Sequence, residues 1–129
     1  MVLADTSVWI SFFNRPDSPE KHTLDLLIEA DEVALAGVVL AELLQGCRTS
    51  RERDLLADCL LALPYLEVDQ DTWLKAGDLS SSLLRKGVTL PLSDLLIAAL
   101  AMEHRCRVYS LDHHFRRIPG LHLYTPTSH

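Results

Sequence analysis

The chain has 129 residues, 48% of them hydrophobic and 23% charged, with a formal net charge of −6. That size fits a single domain spanning 1–129, able to bury a core without disulfides or structural zinc, and the composition excludes intrinsic disorder. The acidic balance excludes a broad non-specific nucleic-acid coat, and no apolar run approaches the roughly 20 residues that would cross a bilayer.

Taken in chain order, short apolar runs alternate with longer helical stretches. Val2–Asp5 reads as a short buried strand. Ser7–Phe13 reads as a helix capped by Thr6 or Ser7, with Asp5 as a competing cap. Residues 15–19 hold two prolines and read as a loop. His22–Ala30 carries Leu24, Leu27 and Ile28 at helical spacing, and Glu32–Ala36 is a second strand. Val38–Gln45 is a helix closed by Gly46. Ser50–Leu61 is a further helix, with Ser50 as N-cap and Arg53 at N3. Pro64 stops it, and Leu66–Val68 is a third strand.

Gln70–Arg85 is a long helix whose candidate buried positions are Trp73, Leu74, Leu79, Leu83 and Leu84, and Gly87 ends it. Ser93 caps the next helix, with Leu96, Ile97, Leu100 and Ala101 as its inner face. Arg107–Leu111 is a fourth strand, His113–Arg117 a turn, and Leu121–Tyr124 a last strand. The alternation predicts an α/β fold, a central mostly parallel sheet of 4–5 strands between helical layers.

Against this frame, the acids Asp5, Glu42, Asp94 and Asp112 stand out. Each sits inside or beside an apolar segment, where a carboxylate is costly unless something positive pairs with it. Asp5 and Asp112 follow predicted strands, and ligands of open parallel sheets bind beyond the carboxyl ends of the strands. Asp94 falls in the first turn of a helix, where the macrodipole tolerates a negative charge. Each acid alone has a plain reading as a cap, a turn residue or a solvated side chain. All four at one rim point to a shared divalent cation and to phosphodiester chemistry.

The remaining features are less specific. Cys47, Cys59 and Cys106 form no CxxC pair and read as reduced thiols. The basic clusters Arg48/Arg51/Arg53, Arg85/Lys86 and Arg105/Arg107/Arg116/Arg117 read first as solvated faces. The N-terminus meets Asp5 too early for a signal peptide, and the chain is expected to be cytoplasmic.

Asp5-Thr6-Ser7, Val39–Gly46, Leu92–Ala99 and Ser110–Phe115 resemble, in order and spacing, the four motifs of PIN-domain ribonucleases. The length resembles the VapC-type toxins of prokaryotic toxin–antitoxin pairs. The resemblance implies a PIN-like three-layer α/β/α sandwich and an endoribonuclease dependent on Mg²⁺ or Mn²⁺. It also implies inhibition by a cognate VapB-type antitoxin, a homodimer, and a hetero-oligomer that binds its own promoter through the antitoxin. Under it, Asp5, Glu42, Asp94 and Asp112 are catalytic. Asp5, Asp94 and Asp112 hold the metal, as one ion or two, and Glu42 orients or deprotonates the attacking water.

Thr6, Ser7 and Arg15 are candidate substrate contacts. Trp9 is a candidate stacking platform, although Trp9, Phe12 and Phe13 read first as core or antitoxin-contact surface. One position departs from the family. A further acid commonly stands two residues after the fourth, and here that residue is His114. A loop histidine is the preferred reading, with ligation or proton transfer as the alternatives. The rival functional class is a non-catalytic PIN-fold binding module. A receiver-type phosphoacceptor domain is set aside, because it needs a second acid beside Asp5 and a lysine after Leu111.

Overall fold

The computed structural model describes residues 1–126, so the last three positions of the predicted 1–129 domain lie outside the described residues. In chain order the elements are β1 (Val2–Ala4), α1 (Thr6–Asn14), α2 (Pro19–Glu29), β2 (Val33–Ala36), α3 (Gly37–Gln45) and α4 (Ser50–Leu60). Next come β3 (Tyr65–Leu66), α5 (Gln70–Arg85), α6 (Leu92–Glu103), β4 (Arg107–Tyr109) and a 3₁₀ turn over His113–Arg117. The sheet has the order β3-β2-β1-β4 and every pairing is parallel. Val-Leu-Ala and Val-Ala-Leu-Ala are buried along their whole length, as parallel strands covered on both faces must be.

The strand order decides where a site can form. The chain builds outward from β1 to β2 to β3, then crosses back to place β4 on the other side of β1. Right-handed crossovers running in opposite directions put their helices on opposite faces of the sheet. Accordingly α1 packs on α2 and α3, and α3 on α4, while α5 packs on α6. The switch point lies between β1 and β4, so a crevice opens beyond their carboxyl ends. Asp5 directly follows β1 and Ser110 directly follows β4.

Several local expectations are corrected. Asp5, not Thr6 or Ser7, caps α1 and accepts from the Val8 N–H. Pro19 is not a loop breaker: it is the first residue of α2, where its missing N–H costs nothing, and Ser18 caps it. Thr49 caps α4 in place of Ser50, which brings Glu52 rather than Arg53 to N3. Ser93 caps nothing; α6 starts one residue earlier, behind Pro91. Gly46 ends α3 with ordinary right-handed backbone, not the left-handed form. Gly87 does adopt φ +77°, as the end of α5 requires.

The helical layer over α6 explains the largest burial error. Residues Leu95 to Ala101 of α6 are all buried, so this helix is enclosed on every side rather than along one face. It lies against β4, and α5 packs outside it. An outer helix needs only a narrow inner stripe, here Thr72, Ala76 and Leu83. Trp73, Leu74 and Leu84 consequently face outward. The expected strand at Leu121–Tyr124 reduces to a single bridge, Val108 to Leu123.

Candidate active site

The switch-point crevice holds the acids. Asp5 is 5% exposed and is fixed from three directions. Its Oδ1 accepts from the Ser7 hydroxyl at 2.6 Å and the Val8 N–H at 3.3 Å. Its Oδ2 accepts a very short hydrogen bond from the Ser110 hydroxyl. Both serines are themselves anchored: Ser7 Oγ accepts from the Leu111 N–H at 3.0 Å, and Ser110 Oγ from the Asp112 N–H at 2.8 Å. The two strand ends are thus stitched together through one carboxylate.

Asp94 sits in the first turn of α6 and is partly buried, beside a half-exposed Asp112 and an exposed His114. His114 Nδ1 lies 3.1 Å from Asp94 Oδ2 and 3.1 Å from Asp112 Oδ2. Donor atoms of these three residues all fall within 4.8 Å of one another. Glu42 stands on α3 at the edge of the cluster, where its Oε1 accepts from the Thr6 hydroxyl at 2.9 Å.

The electrostatics follow from burial. Desolvation pushes the Asp5 carboxyl above the ordinary aspartate value of 3.8, against the hydrogen bonds from Ser110, Ser7 and Val8, and the Asp94 charge raises it further. Asp94 is also raised, first by burial, then by the charges of Asp112 and Glu42, while His114 opposes the shift. Asp94 is thus the link: its charge reaches Asp5, and the charges of Asp112 and Glu42 reach Asp94. Among the described residues, no lysine or arginine comes within ion-pair distance of any of them. A buried Asp5, partly buried Asp94 and Asp112 and an exposed Glu42, with no lysine or arginine paired to them among the described residues, fit a hard divalent ion, which prefers carboxylate and water oxygens.

The structure brings together most, not all, of the residues singled out by sequence. Asp94 and Asp112 lie within ligand distance of each other and of His114, while Asp5 forms the hydrogen-bonded floor beside them. Thr6 and Ser7 border the cluster, but each hydroxyl proton is already given to a carboxylate. Arg15 caps the far end of α1, a helix of nine residues and so about 13 Å long, and does not join the acids. Trp9 is fully buried with its indole N–H unpaired, so its ring presents no stacking face.

Sequence reasoning missed Ser110, although a hydroxyl at the end of β4 mirrors Ser7 after β1. For His114 it prefers a loop residue over ligation or proton transfer, and the turn returns its ring to Asp94 and Asp112.

Next to Glu42 opens a second feature, a groove of about 530 Å³ between α1, α3 and α4. Ile10, Phe13, Leu43, Leu55 and Leu56 line it.

Comparison with known proteins agrees with this geometry. The PIN domain family model matches residues 2–121. The VapC ribonuclease Mb1587 of Mycobacterium bovis is 30% identical over 119 residues, 89% of each chain. Ribonuclease VapC2 of Rickettsia felis is 29% identical over 126 residues, 94% of each chain. Among solved structures, VapBC2 of Rickettsia felis bound to a DNA fragment from its promoter aligns with a TM-score of 0.82 at 25% identity, covering 96% of this chain and 98% of that one. VapC20 of Mycobacterium tuberculosis, a sarcin-ricin loop cleaving toxin, aligns with a TM-score of 0.70 and covers 98% of this chain and 100% of its own; at 18% identity it speaks for the fold alone.

Proposed function

The chain belongs to the PIN-domain family, and from that premise we propose that it is a divalent-metal-dependent endoribonuclease, the toxin of a type II toxin–antitoxin pair acting in the cytoplasm. The observation that carries the reading is the gathering of Asp5, Asp94 and Asp112 at the switch point, with Glu42 at its edge and, among the described residues, no lysine or arginine paired with them. In this reading Asp94 and Asp112 would hold a Mg²⁺ or Mn²⁺ ion, with Asp5 contributing directly or through water; their closeness to each other supports it. Such an ion polarises the scissile phosphate and lowers the pKa of bound water.

The protein's own groups do the rest. Ser7, Ser110 and the Val8 N–H fix Asp5 so that its negative charge faces the crevice without rotamer search. Thr6 holds Glu42 by one oxygen and leaves the other free to orient a water and take its proton. In-line attack of that water on phosphorus would break the bond to the 3′ oxygen, which takes a proton from solvent, leaving a 5′-phosphate and a 3′-hydroxyl. The groove beside Glu42 suits an apolar segment of an antitoxin, whose basic side chain would reach the acid cluster from that side. A homodimer, and a hetero-oligomer with the antitoxin, complete the proposal.

The test is incubation of the purified chain with total RNA, with EDTA, Mg²⁺ or Mn²⁺, followed by mapping of cut ends. Discrete metal-dependent cuts bearing 5′-phosphates are expected. RNA left intact under every condition would favour the non-catalytic binding module. Co-purification with the product of an adjacent reading frame tests the partner, and no complex counts against the antitoxin.

A further inference from the structure

The turn after β4 does more than reverse the chain. Asp112 caps it through the His114 N–H, at 3.0 Å to Oδ1, and this same bond sets the imidazole against the carboxylates. The ring nitrogen Nδ1 is equidistant from Asp94 Oδ2 and Asp112 Oδ2, at 3.1 Å. Neighbouring ligands of an octahedral ion, each about 2.1 Å from it, stand about 3.0 Å apart. Between protein groups alone these are hydrogen-bond contacts, and the two N···O spacings match those of neighbouring ligands to a single ion. The side chain is 46% exposed, so the other ring nitrogen is free to keep its proton in solvent.

We infer that His114 is a nitrogen ligand of the active-site ion, and that it turns the pocket toward first-row transition ions such as Co²⁺ and Mn²⁺ and away from Mg²⁺. The inference rests on the nuclease reading for the presence of an ion, and goes beyond it in naming the ligand and the preference. The reason lies in ligand type. Mg²⁺ takes oxygen ligands and sheds water reluctantly. Imidazole suits the later ions, whose affinity for nitrogen rises along the first row. A carboxylate at this position would leave an all-oxygen site.

The test uses the full chain, stripped with EDTA. Calorimetric titration with Co²⁺ and with Mg²⁺ gives the affinity ratio, and pulsed electron paramagnetic resonance of the Mn²⁺-loaded protein reports ¹⁴N coupling. His114→Asp, His114→Ala and, as a neighbour control, His113→Ala are compared with the wild type. Imidazole ¹⁴N coupling is expected in the wild type and His113→Ala and absent from both His114 variants. The Co²⁺:Mg²⁺ ratio should fall at least about tenfold in His114→Asp.

Wild-type Mn²⁺ without ¹⁴N coupling, or coupling that survives in His114→Ala, overturns the inference. So does an unchanged ratio in His114→Asp. RNA cleavage by the wild type, run in parallel, reports separately on the nuclease reading, because the nitrogen signal needs no turnover.

Discussion

Two aspartates of this chain hold the same position on two helices and behave in opposite ways. Asp5 caps α1 and accepts from the N–H three residues on; Asp69 caps α5 and does the same. Asp69 is exposed, and the backbone and hydroxyl of Thr72 hold its carboxyl below the ordinary value. Thr72 completes a capping box, and its one hydroxyl proton is shared between Asp69 at 3.0 Å and Glu103 of α6 at 2.8 Å. The Asp5 carboxylate accepts three hydrogen bonds against two for Asp69, yet burial and the neighbouring Asp94 charge push it up. Capping alone does not account for a carboxylate placed where its charge is penalised. Under the proposed function the difference assigns Asp69 to structure and Asp5 to the metal site, at a cost in stability that a cation would offset.

The comparison breaks most visibly in Asp5→Asn. RNA cleavage should fall on the order of 10²–10³-fold, the scale of losing one preorganised electrostatic group from a site, here the carboxylate that supports the ion. The metal-free variant should be as stable as the wild type at neutral pH, or more so, because a buried charge is gone and the serine hydroxyls can rotate to suit an amide. Activity assays paired with thermal unfolding in EDTA read both. Normal cleavage by Asp5→Asn would reduce Asp5 to a cap like Asp69.

Ser110→Ala sharpens the contrast at the next level. It removes the only bond to Asp5 Oδ2 among the described residues and leaves the Asp112 N–H unpaired. Both acids lose their alignment while the chain keeps every carboxylate. Cleavage should drop about 10–100-fold, the usual cost of losing a partner that orients a ligand. If the effect is one of orientation, Ser110→Thr, which restores the hydroxyl, recovers most of the rate and Ser110→Cys does not.

These expectations also show what was readable from sequence. Parallel strands were legible because burial on both faces forces unbroken apolar runs such as Val33–Ala36. The acids were legible because they interrupt apolar segments. The outward face of α5 was not, since Trp73, Leu74 and Leu84 look as apolar as any core residue until α6 is known to fill the space beneath. For His114 the loop reading outweighs ligation for a different reason. Its approach depends on a 3₁₀ turn capped by Asp112, and an i, i+2 relation across an irregular turn leaves no periodic signal.

Stability against pH separates the two aspartates without any substrate. Asp5 and Asp94 have folded values above the unfolded 3.8, so the native state holds protons that the unfolded chain has released. Metal-free stability therefore declines as pH rises from about 4 through those raised values. Asp69 has the opposite sign: its contribution is present above the unfolded value and fades as pH falls through its lowered one. A divalent ion at about 100 times its dissociation constant should return about 2.7 kcal/mol at neutral pH, and Asp5→Asn should remove most of that gain.

Asp69→Ala gives the smallest effect. It should lower the melting temperature slightly at neutral pH, leave the response to metal intact and leave cleavage unchanged, since the cap lies on the outer helix and touches none of the acids at the rim. Unfolding curves for both variants, with and without Mn²⁺, read the contrast directly. A metal response lost in Asp69→Ala and kept in Asp5→Asn would reverse the assignment of the two caps.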